Sequence, residues 1–292
     1  MNIFVGLEKI VEKNYPLGKS TWFGLGGSAD YLIQPQDTDQ LADVVRRCSE
    51  NSIAVKVLGF GSNLLVQDKG VKGAVIKLSG SDFAGVEFNG DVLTVGAGAD
   101  LNKIVLDCIR KGLGGIEMLG GIPGSVGGAV RMNAGGHFGD FGSAVESVTM
   151  MDNEGNIFEK AKPELSFDYR SANITAKFIL GAKVKLCQAD PQQLLKIVKE
   201  VWIYKKNTQP LNTKSAGCVF KNPRGMSAGA MIDRAGLKGT KIGGAVVSEK
   251  HANFIIAQDG CKSSDVVAII EKIRKQVKEK FNVQLELEIE IW

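Results

Sequence analysis

The spacing of apolar residues along the chain changes repeatedly between helical and strand periods, and this predicts an α+β protein. Apolar residues three and four positions apart indicate amphipathic helices. Asp37 and Asp100 are suitable N-cap residues, and Asp190 followed by Pro191 combines a cap with a proline at the first helical position. The predicted helices cover residues 4–13, 37–48, 100–110, 190–205, 228–235 and 265–280.

Strands are predicted where apolar residues alternate with polar ones, or form short runs between turn residues. Asn89-Gly90 is typical of a tight β-hairpin turn, and residues 152–155 separate a second pair of strands. The predicted strands cover residues 29–33, 55–58, 74–78, 86–88, 92–95, 145–151, 157–159, 178–186, 218–220, 245–247, 253–257 and 283–291.

The helix start at Asp190 is the predicted domain boundary. A chain of 292 residues has room for roughly two domains, each with its own core. We therefore predict a first α+β domain over residues 1–189 and a smaller second one over residues 190–292.

A glycine-rich stretch indicates a cofactor site. Twelve of the chain's 36 glycines lie between Gly112 and Gly142. Ordering a glycine costs more backbone entropy than ordering any other residue, so this density is not expected in an ordinary helix or strand. Apolar residues from Ile116 to Met132 distinguish the stretch from a polar, flexible linker. Backbone N–H groups in such loops bind phosphates, and we predict an ordered loop that binds a cofactor.

A second glycine turn, residues 59–66, directly follows the predicted strand at 55–58. The glycines and the polar pair Ser62-Asn63 suggest another phosphate-binding loop. Ordinary β-turns use the same residues, so this motif alone does not distinguish the two.

Composition and charge exclude several classes of function. Hydrophobic residues make up 44% and charged residues 23%, as in ordinary globular proteins, and a net charge of +4 without a basic stripe does not indicate a nucleic-acid partner. Five cysteines without a CxxC pair, and only two histidines, His137 and His251, argue against a disulfide framework and a metal site. With neither a signal peptide nor a membrane-length apolar run, we expect a cytoplasmic protein with no membrane partner.

Three residues are candidates for chemistry, and each also has a structural explanation. Cys218 follows a glycine and precedes Lys221, although a cysteine is more often a small core residue. Arg170 ends an aromatic segment, where a surface ion pair is equally compatible. Glu288 lies in the alternating segment LELEIEIW, in which the glutamates at 286, 288 and 290 share one face. Alternation cannot choose among them.

Seven segments, in order along most of the chain, resemble the UDP-N-acetylenolpyruvoylglucosamine reductase family. They are GFGSNLL, IPGSVGGAVRMNAG, FDYR, SAGCVFKNP, AGAMIDRAGLKG, GGAVVSEKHANFI and FNVQLELEIEI. Single segments would be weak signals, but seven in one order are specific.

The resemblance implies a two-part FAD-binding domain of the vanillyl-alcohol-oxidase-like (PCMH) type, with lobes of about 1–70 and 71–189. A smaller α+β substrate-binding domain follows it. The cofactors implied are FAD and NADPH. The residues implied to hold FAD are Gly59, Phe60, Gly61, Ser62, Asn63, Leu64, Ile122, Pro123, Gly124, Ser125, Gly127, Gly128, Asn133, Ala134 and Gly135.

The implied reaction converts UDP-N-acetyl-3-O-(1-carboxyvinyl)glucosamine to UDP-N-acetylmuramate, a precursor of cell-wall peptidoglycan. NADPH reduces the flavin, and the flavin then delivers the hydride to the vinyl carbon. The resemblance places the catalytic arginine at Arg170, the proton donor at Cys218 and the catalytic glutamate at Glu288. The residues implied to bind substrate are Lys206, Asn222 and His251.

The chain departs from the commoner family pattern at Cys218, where relatives use serine. A thiol with an unperturbed pKa of about 8.5 is mostly protonated at neutral pH, so it can donate a proton. Only two residues separate the segments NPRG and AGAMID, which implies the shorter subclass without a tyrosine-bearing insert.

Two other functions remain open at this point. One is a different FAD-dependent oxidase or dehydrogenase of the same superfamily, and the other is a nucleotide-binding module without redox activity. The former leaves SAGCVFKNP and the C-terminal strand unexplained. For the reductase we expect a monomer that acts on a small UDP-linked sugar.

Overall fold

The computed structural model describes residues 3–136 and 138–292, so His137 lies outside the described residues. Amphipathic segments form helices that bury their apolar faces. The described residues contain seven α-helices: α1 (Thr38–Glu50), α2 (Ser81–Ala84), α3 (Leu101–Arg110), α4 (Val126–Arg131), α5 (Pro191–Thr208), α6 (Ala228–Arg234) and α7 (Ser263–Phe281).

The strands are mostly short. They are β1 (Val11–Pro16), β2 (Ser28–Ile33), β3 (Val55–Leu58), β4 (Leu64–Leu65), β5 (Val71–Lys77), β6 (Val86–Asn89), β7 (Val92–Gly96), β8 (Leu113–Gly114), β9 (Gly135–Gly136), β10 (Gly139–Asp140), β11 (Val145–Met151), β12 (Ile157–Ala161), β13 (Phe167–Asp168), β14 (Ser171–Ala172), β15 (Phe178–Lys185), β16 (Cys187–Gln188), β17 (Lys241–Ile242), β18 (Ala245–Val247), β19 (Ile255–Ala257) and β20 (Glu290–Ile291). Short 3₁₀ helices cover Glu8–Ile10, Leu17–Ser20, Glu117–Leu119, Gly142–Ala144 and Lys162–Glu164.

Hydrogen bonds confirm the predicted helix starts. The Asp37 carboxylate accepts the backbone N–H of Gln40 at 2.8 Å, which caps α1. Asp100 accepts the N–H of Asn102 at 2.9 Å, which caps α3. Each carboxylate satisfies a donor that has no partner within its helix. Helix α5 begins at Pro191, as predicted.

The chain divides into two compact units that do not follow chain order. The first unit contains the chain up to Asn14, Asp30–Phe60 and Lys72–Ile203; the second contains Tyr15–Ala29, Gly61–Val71 and Tyr204–Trp292. The first unit therefore continues through most of α5, and two early segments belong to the second. The functional division into residues 1–189 and 190–292 stays a prediction.

Two sheets form most of the first unit. One has the strand order β1-β2-β5-β3, with β3 and β5 parallel. The other has the order β12-β11-β15-β7-β6 and is antiparallel between neighbours. Its β6–β7 and β11–β12 hairpins are the two predicted from turn residues.

The core of the first unit forms between these sheets and the helices. Leu41 and Val44 of α1 and Ile104 of α3 are buried in it, together with Phe83 and Phe178. Burial of each such side chain contributes about 1.5–3 kcal/mol. The helical spacing seen in the sequence therefore marks the faces that stabilise this unit.

The second unit has a core of its own around α7. Ile269 and Val277 of α7 are buried there with Phe23 and Phe220. The antiparallel sheet β17-β18-β19 belongs to this unit, as does the parallel pair β4 and β20. The C-terminal segment thus pairs with a segment more than two hundred residues earlier in the chain.

Helix α7 is capped by a residue distant in sequence. The Asp68 carboxylate accepts the N–H groups of Ser263 at 3.0 Å and Ser264 at 3.3 Å. Desolvation disfavours the charge of Asp68, but the hydrogen bonds from the two serines outweigh it and lower its pKa. This contact fixes the Gly61–Val71 segment to the start of α7.

The helix predicted for residues 4–13 is wrong. A single 3₁₀ turn, Glu8–Ile10, leads directly into β1. The carbonyl of Ile10 accepts the N–H of Gln34 at 2.9 Å, so the backbone bonds to another segment rather than within a helix. Phe4 is buried, as expected of its helical spacing, and its ring contacts that of Tyr31. Burial of this one side chain does not fix the backbone conformation.

The predicted strands at 218–220 and 283–291 are also largely wrong. Only Glu290–Ile291 forms a strand in the latter, and the former has isolated bridges from Cys218 to Phe254 and from Phe220 to Leu287. The N–H groups of two successive residues, 288 and 289, both point at the carbonyl of Val219, at 2.8 and 3.5 Å. Two residues opposite one interrupt the ladder, as in a β-bulge.

Among the described helices, none combines the length and the apolar character needed to cross a lipid bilayer.

Candidate active site

A pocket lies in the first unit where β3 ends and α4 begins, with about 640 Å³ of empty space. Side chains of Val57, Leu58 and Ile179 give it an apolar wall. Five of the predicted cofactor-binding residues line it: Gly59, Phe60, Ser125, Gly127 and Gly128. The two glycine segments singled out in the sequence therefore meet in one pocket.

Glycine is required at this pocket because backbone segments approach one another closely. A Cβ on Gly59 would lie 2.8 Å from the Ser125 hydroxyl oxygen. A Cβ on Gly127 would lie 2.9 Å from Cβ of Ala97, and one on Gly98 would lie 2.1 Å from the carbonyl oxygen of Leu78. These distances exclude any side chain without rearrangement, so the pocket is lined by exposed backbone.

The glycine stretch contains a short helix, contrary to the expectation from its composition. The Ser125 hydroxyl caps α4 by accepting the N–H of Gly128 at 3.3 Å. The N–H of Gly127 bonds instead to the carbonyl of Ala97 at 2.8 Å. Packing of the buried Val126 and this cross-segment bond compensate for the poor helix propensity of glycine.

Three basic side chains line the same pocket, and the sequence analysis missed them. Arg131 ends α4, and its guanidinium donates to the carbonyls of Ile174 at 2.5 Å, Lys177 at 3.2 Å and Ala176. Burial lowers the pKa of Arg131, yet a guanidinium stays charged in proteins. Lys77 and Lys177 add two more positive charges. The wall therefore suits a phosphate-bearing ligand.

Ile122, Pro123 and Gly124 lie immediately before this pocket in the chain. The carbonyl of Ile122 accepts the side-chain amide of Asn102 at 3.1 Å, and that of Gly124 accepts the N–H of Leu101 at 3.1 Å. These bonds join the predicted loop to the start of α3. In this segment, the residues that line the pocket begin at Ser125.

Asn133 and Ala134 hold the glycine stretch together. The buried Asn133 accepts the N–H of Gly142 at 2.8 Å and donates to the carbonyl of Asp168 at 3.1 Å. Its φ of +41° is a left-handed conformation that asparagine tolerates better than most residues. The carbonyl of Ala134 accepts the N–H of Phe141 at 2.9 Å. The side chain of Asn133 thus supports the loop from within.

Arg170 is fixed against the end of the glycine stretch. It lies in the tight turn between β13 and β14, with a left-handed φ of +54°. Its guanidinium donates to the carbonyl of Gly135 at 2.7 Å. A left-handed non-glycine residue costs about 1–2 kcal/mol, so surrounding contacts must hold it in place.

The rest of the predicted flavin loop, Gly61 to Leu64, belongs to the second unit. A Cβ on Gly61 would lie 2.0 Å from the carbonyl oxygen of Ser20. Asn63 donates its side-chain amide to the carbonyl of Glu288 at 3.0 Å. Leu64 lies in β4, in register with Glu290 of β20, and Ser62 precedes this pair. The loop is thereby bound to the C-terminal segment.

Cys218 and Glu288 lie on neighbouring segments of the second unit. The carbonyl of Val219, the residue after Cys218, accepts the N–H of Glu288 at 2.8 Å. Cys218 is bridged on its other side to Phe254. Both candidate side chains are half-buried. Backbone pairing therefore places the segments that carry Cys218 and Glu288, predicted from separate motifs, side by side.

Burial separates the three glutamates that alternation could not. Glu286 and Glu290 are exposed, whereas Glu288 is half-buried. The irregular pairing around Val219 removes the simple alternation of the segment. Glu288 is therefore the member of the group whose position suits a role in a site.

The predicted substrate residues occupy different parts of the second unit. Lys206 is exposed near the end of α5. Asn222 is exposed and accepts the N–H of Ala228 at 2.9 Å, which supports the start of α6. His251 accepts the N–H of Asn253 on Nδ1 at 3.2 Å. Their role in substrate binding stays a prediction.

The pKa of His251 is lowered mainly by burial. Its own backbone hydrogen bond raises the pKa, and the nearby positive charge of Lys238 lowers it further. A neutral ring that accepts a hydrogen bond on Nδ1 carries its proton on Nε2. His251 can therefore donate from Nε2 at neutral pH.

Within residues 3–136 and 138–292 there is no group of three side chains suited to hold a metal ion. The five cysteines are thiols rather than disulfides in this part of the chain. Burial raises the pKa of Cys48 to about 11 and that of Cys108 to about 12. These two behave as core residues.

Sequence families match both parts of the chain. A family described as FAD binding domain matches residues 29–160. A family described as UDP-N-acetylenolpyruvoylglucosamine reductase, C-terminal domain, matches residues 209–292. The reductase of Carboxydothermus hydrogenoformans is 40% identical, over 96% of this chain and 93% of its own. That of Bacillus subtilis is 37% identical, over 95% and 92%.

The chain belongs to the UDP-N-acetylenolpyruvoylglucosamine reductase family.

A solved structure of the family has the same fold. The crystal structure of the reductase from Thermus caldophilus is 38% identical, with a TM-score of 0.85 over 97% of this chain and 98% of that one. The glucose dehydrogenase Phl p 4.0202 resembles 64% of this chain with a TM-score of 0.51 at 16% identity, a likeness of fold alone. The predicted fold, an FAD-binding domain followed by the family's C-terminal domain, is confirmed.

Gly59→Ala is expected to weaken FAD binding about tenfold or more. The added methyl group would displace the Ser125 hydroxyl, 2.8 Å away, and occupy the pocket. Titration of apoprotein with FAD, followed by flavin fluorescence, measures the Kd. Gly85→Ala is the matched control, because its φ is −59° and no atom lies within 4 Å of the added Cβ. Equal Kd values for the two variants would contradict the pocket assignment.

Proposed function

We propose that this protein reduces UDP-N-acetyl-3-O-(1-carboxyvinyl)glucosamine to UDP-N-acetylmuramate with NADPH and FAD. The observation that carries the residue assignments is the backbone pairing of Val219 with Glu288, which places the carboxyl-bearing residue beside the Cys218 segment. A shared FAD-domain fold would not require this pairing. It is specific to the part of the chain that matches the reductase C-terminal domain.

Three observations support the proposal that the pocket of the first unit binds the flavin nucleotide. Its backbone is bare at Gly59 and Gly127, its wall is apolar at Ile179, and Lys77 and Lys177 supply positive charge for a diphosphate. When bound, FAD supplies hydride transfer between NADPH and the vinyl carbon of the substrate. The remaining predicted cofactor residues, in the loops at 61–64, 122–124 and 133–135, complete the proposed binding set.

Cys218 is the proposed general acid. Reduction of the vinyl group leaves negative charge on the carbon that bears the carboxylate, and that carbon must gain a proton. The half-buried thiol of Cys218 can supply it, in the position where relatives carry a serine hydroxyl. Because this segment is bonded on both sides, the thiol is held in place before substrate binds.

Arg170 and Glu288 are the proposed stabilisers of the developing charge. The guanidinium of Arg170 is oriented by its bond to the Gly135 carbonyl, so little reorganisation is needed when charge develops on the substrate carboxylate. Two hydrogen bonds hold the backbone of Glu288. Its N–H donates to the carbonyl of Val219, and its carbonyl accepts the side-chain amide of Asn63.

Lys206, Asn222 and His251 are proposed to bind the substrate. The ammonium group of Lys206 suits the UDP diphosphate, and the exposed Asn222 amide suits a sugar or uracil group. His251, neutral with Nε2 protonated, is a hydrogen-bond donor that needs no change of charge.

Cys218→Ala is expected to slow the substrate half-reaction by about 10²–10⁴-fold, because the general acid is lost. Flavin absorbance measures both halves: bleaching by NADPH, and its return when the enol ether is added. Bleaching should keep its wild-type rate. Cys218→Ser is the matched control and should retain most of the activity, since a hydroxyl can donate the same proton. Wild-type reoxidation in Cys218→Ala would exclude the assignment.

Glu288→Ala is expected to slow the substrate half-reaction by about 10²-fold, since one stabiliser of the transition state is lost. Glu286→Ala, two residues away and exposed, is the matched control and should stay within about twofold of wild type. Both are measured by flavin reoxidation at saturating enol ether. A larger loss in Glu286→Ala would reassign the catalytic carboxylate.

We place this reaction in the cytoplasm, where NADPH and UDP-sugars are made, as a step of peptidoglycan precursor synthesis. The protein is proposed to act as a monomer. Light scattering during size-exclusion chromatography should give the mass of a single chain with FAD. A concentration-independent mass of two chains would contradict this.

A further inference from the structure

We infer that Asn253 is the positioning residue that fixes Cys218 relative to Glu288. This inference rests on the proposed function, in which those two side chains act on one substrate. Asn253 was not among the residues singled out from the sequence, because a buried amide leaves no periodic or motif signal of its own.

Asn253 binds three of the four backbone N–H and C=O groups of the two residues that follow Cys218. Its carbonyl accepts the N–H of Val219 at 2.8 Å. Its side-chain oxygen accepts the N–H of Phe220 at 2.9 Å, and its side-chain amide donates to the Phe220 carbonyl at 2.8 Å. The fourth group, the carbonyl of Val219, accepts the N–H of Glu288 at 2.8 Å and that of Ile289 at 3.5 Å.

The side chain of Asn253 therefore provides the backbone of Phe220 with the hydrogen bonds that a neighbouring strand would otherwise make. Cys218 and Phe220 form only isolated bridges, so no continuous ladder sets the register of this segment. An amide is the side chain that can accept from an N–H and donate to a C=O of the same residue. Asn253 is 2% exposed, so water cannot replace either bond.

The same residue also orients His251, through the bond from its N–H to Nδ1 at 3.2 Å. Asn253 thus links three predicted site residues, Cys218, Glu288 and His251, although its own buried side chain reaches only Phe220. A residue in this place acts on the reaction through its neighbours and not by contact with substrate.

Asn253→Asp is the test, because it keeps the acceptor for the Phe220 N–H and replaces the donor with an oxygen that faces the Phe220 carbonyl. We expect the substrate half-reaction to fall by about 10²-fold, as for a displaced catalytic group, while NADPH bleaches the flavin at the wild-type rate. If the buried carboxylate prevents folding, Asn253→Ala removes both side-chain bonds without adding charge.

Val277→Ala is the matched control for loss of stability alone. Val277 is fully buried in α7 of the same unit, and it is outside the proposed catalytic and binding residues. The melting temperature of the Val277→Ala variant should fall, while both of its half-reactions stay at wild-type rates. An equal loss of substrate turnover in both variants at matched stability would overturn the inference.

A double variant separates this inference from the proposed function. In the Cys218→Ala background, Asn253→Asp should slow reoxidation by less than about threefold, because the group it positions is already absent. A full additional 10²-fold loss would overturn the inference. Wild-type reoxidation in Cys218→Ala alone would instead overturn the proposed function.

Amide hydrogen exchange gives a readout that does not depend on the reaction. In Asn253→Ala, the N–H groups of Val219 and Phe220 should exchange at least about tenfold faster than in Val277→Ala at equal melting temperature. Unchanged protection would mean that other contacts fix the segment, and would overturn the inference.

Discussion

The carbonyl oxygen of Val219 joins parts of the chain that are distant in sequence. It accepts the N–H of Glu288, and the N–H of Val219 is bonded to Asn253, so the segment after Cys218 is held from both sides. Backbone groups must find partners when water is excluded. Here that requirement sets the Cys218 segment beside the segment of Glu288, and the proposed chemistry depends on this pairing.

A different constraint acts on the first unit. Its pocket must leave space for a nucleotide next to backbone that carries no side chain. Gly59 and Gly127 leave no room for a Cβ. Ser125 caps the short helix α4, which contains Gly127 and ends at the basic wall. The same glycine stretch continues to Gly135, whose carbonyl orients Arg170. The close approach of backbone at the pocket and the orientation of Arg170, the proposed catalytic arginine, both involve this one segment.

Cys218 is the proposed proton donor, at a position where the resemblance implies a serine. The hydrogen bonds that fix the segment come from backbone groups and from Asn253, and none of them requires a hydroxyl at position 218. A thiol is larger and a weaker hydrogen-bond donor than a hydroxyl, but it can transfer a proton at neutral pH. The site therefore accommodates either residue type.

Local signals in the sequence determined the helix caps, the hairpin turns, the glycine loops and the ordered motifs that identify the family. These depend on neighbouring residues, so a single sequence suffices. The alternating pattern could not separate Glu288 from Glu286, and the resemblance assigned Glu288; the tertiary structure adds that Glu288 is the half-buried one of the two, beside Val219. It also revealed α4, the basic wall with Arg131, and the role of Asn253. Such features arise between segments far apart in the chain, where periodicity carries no information about which partner a backbone group will find.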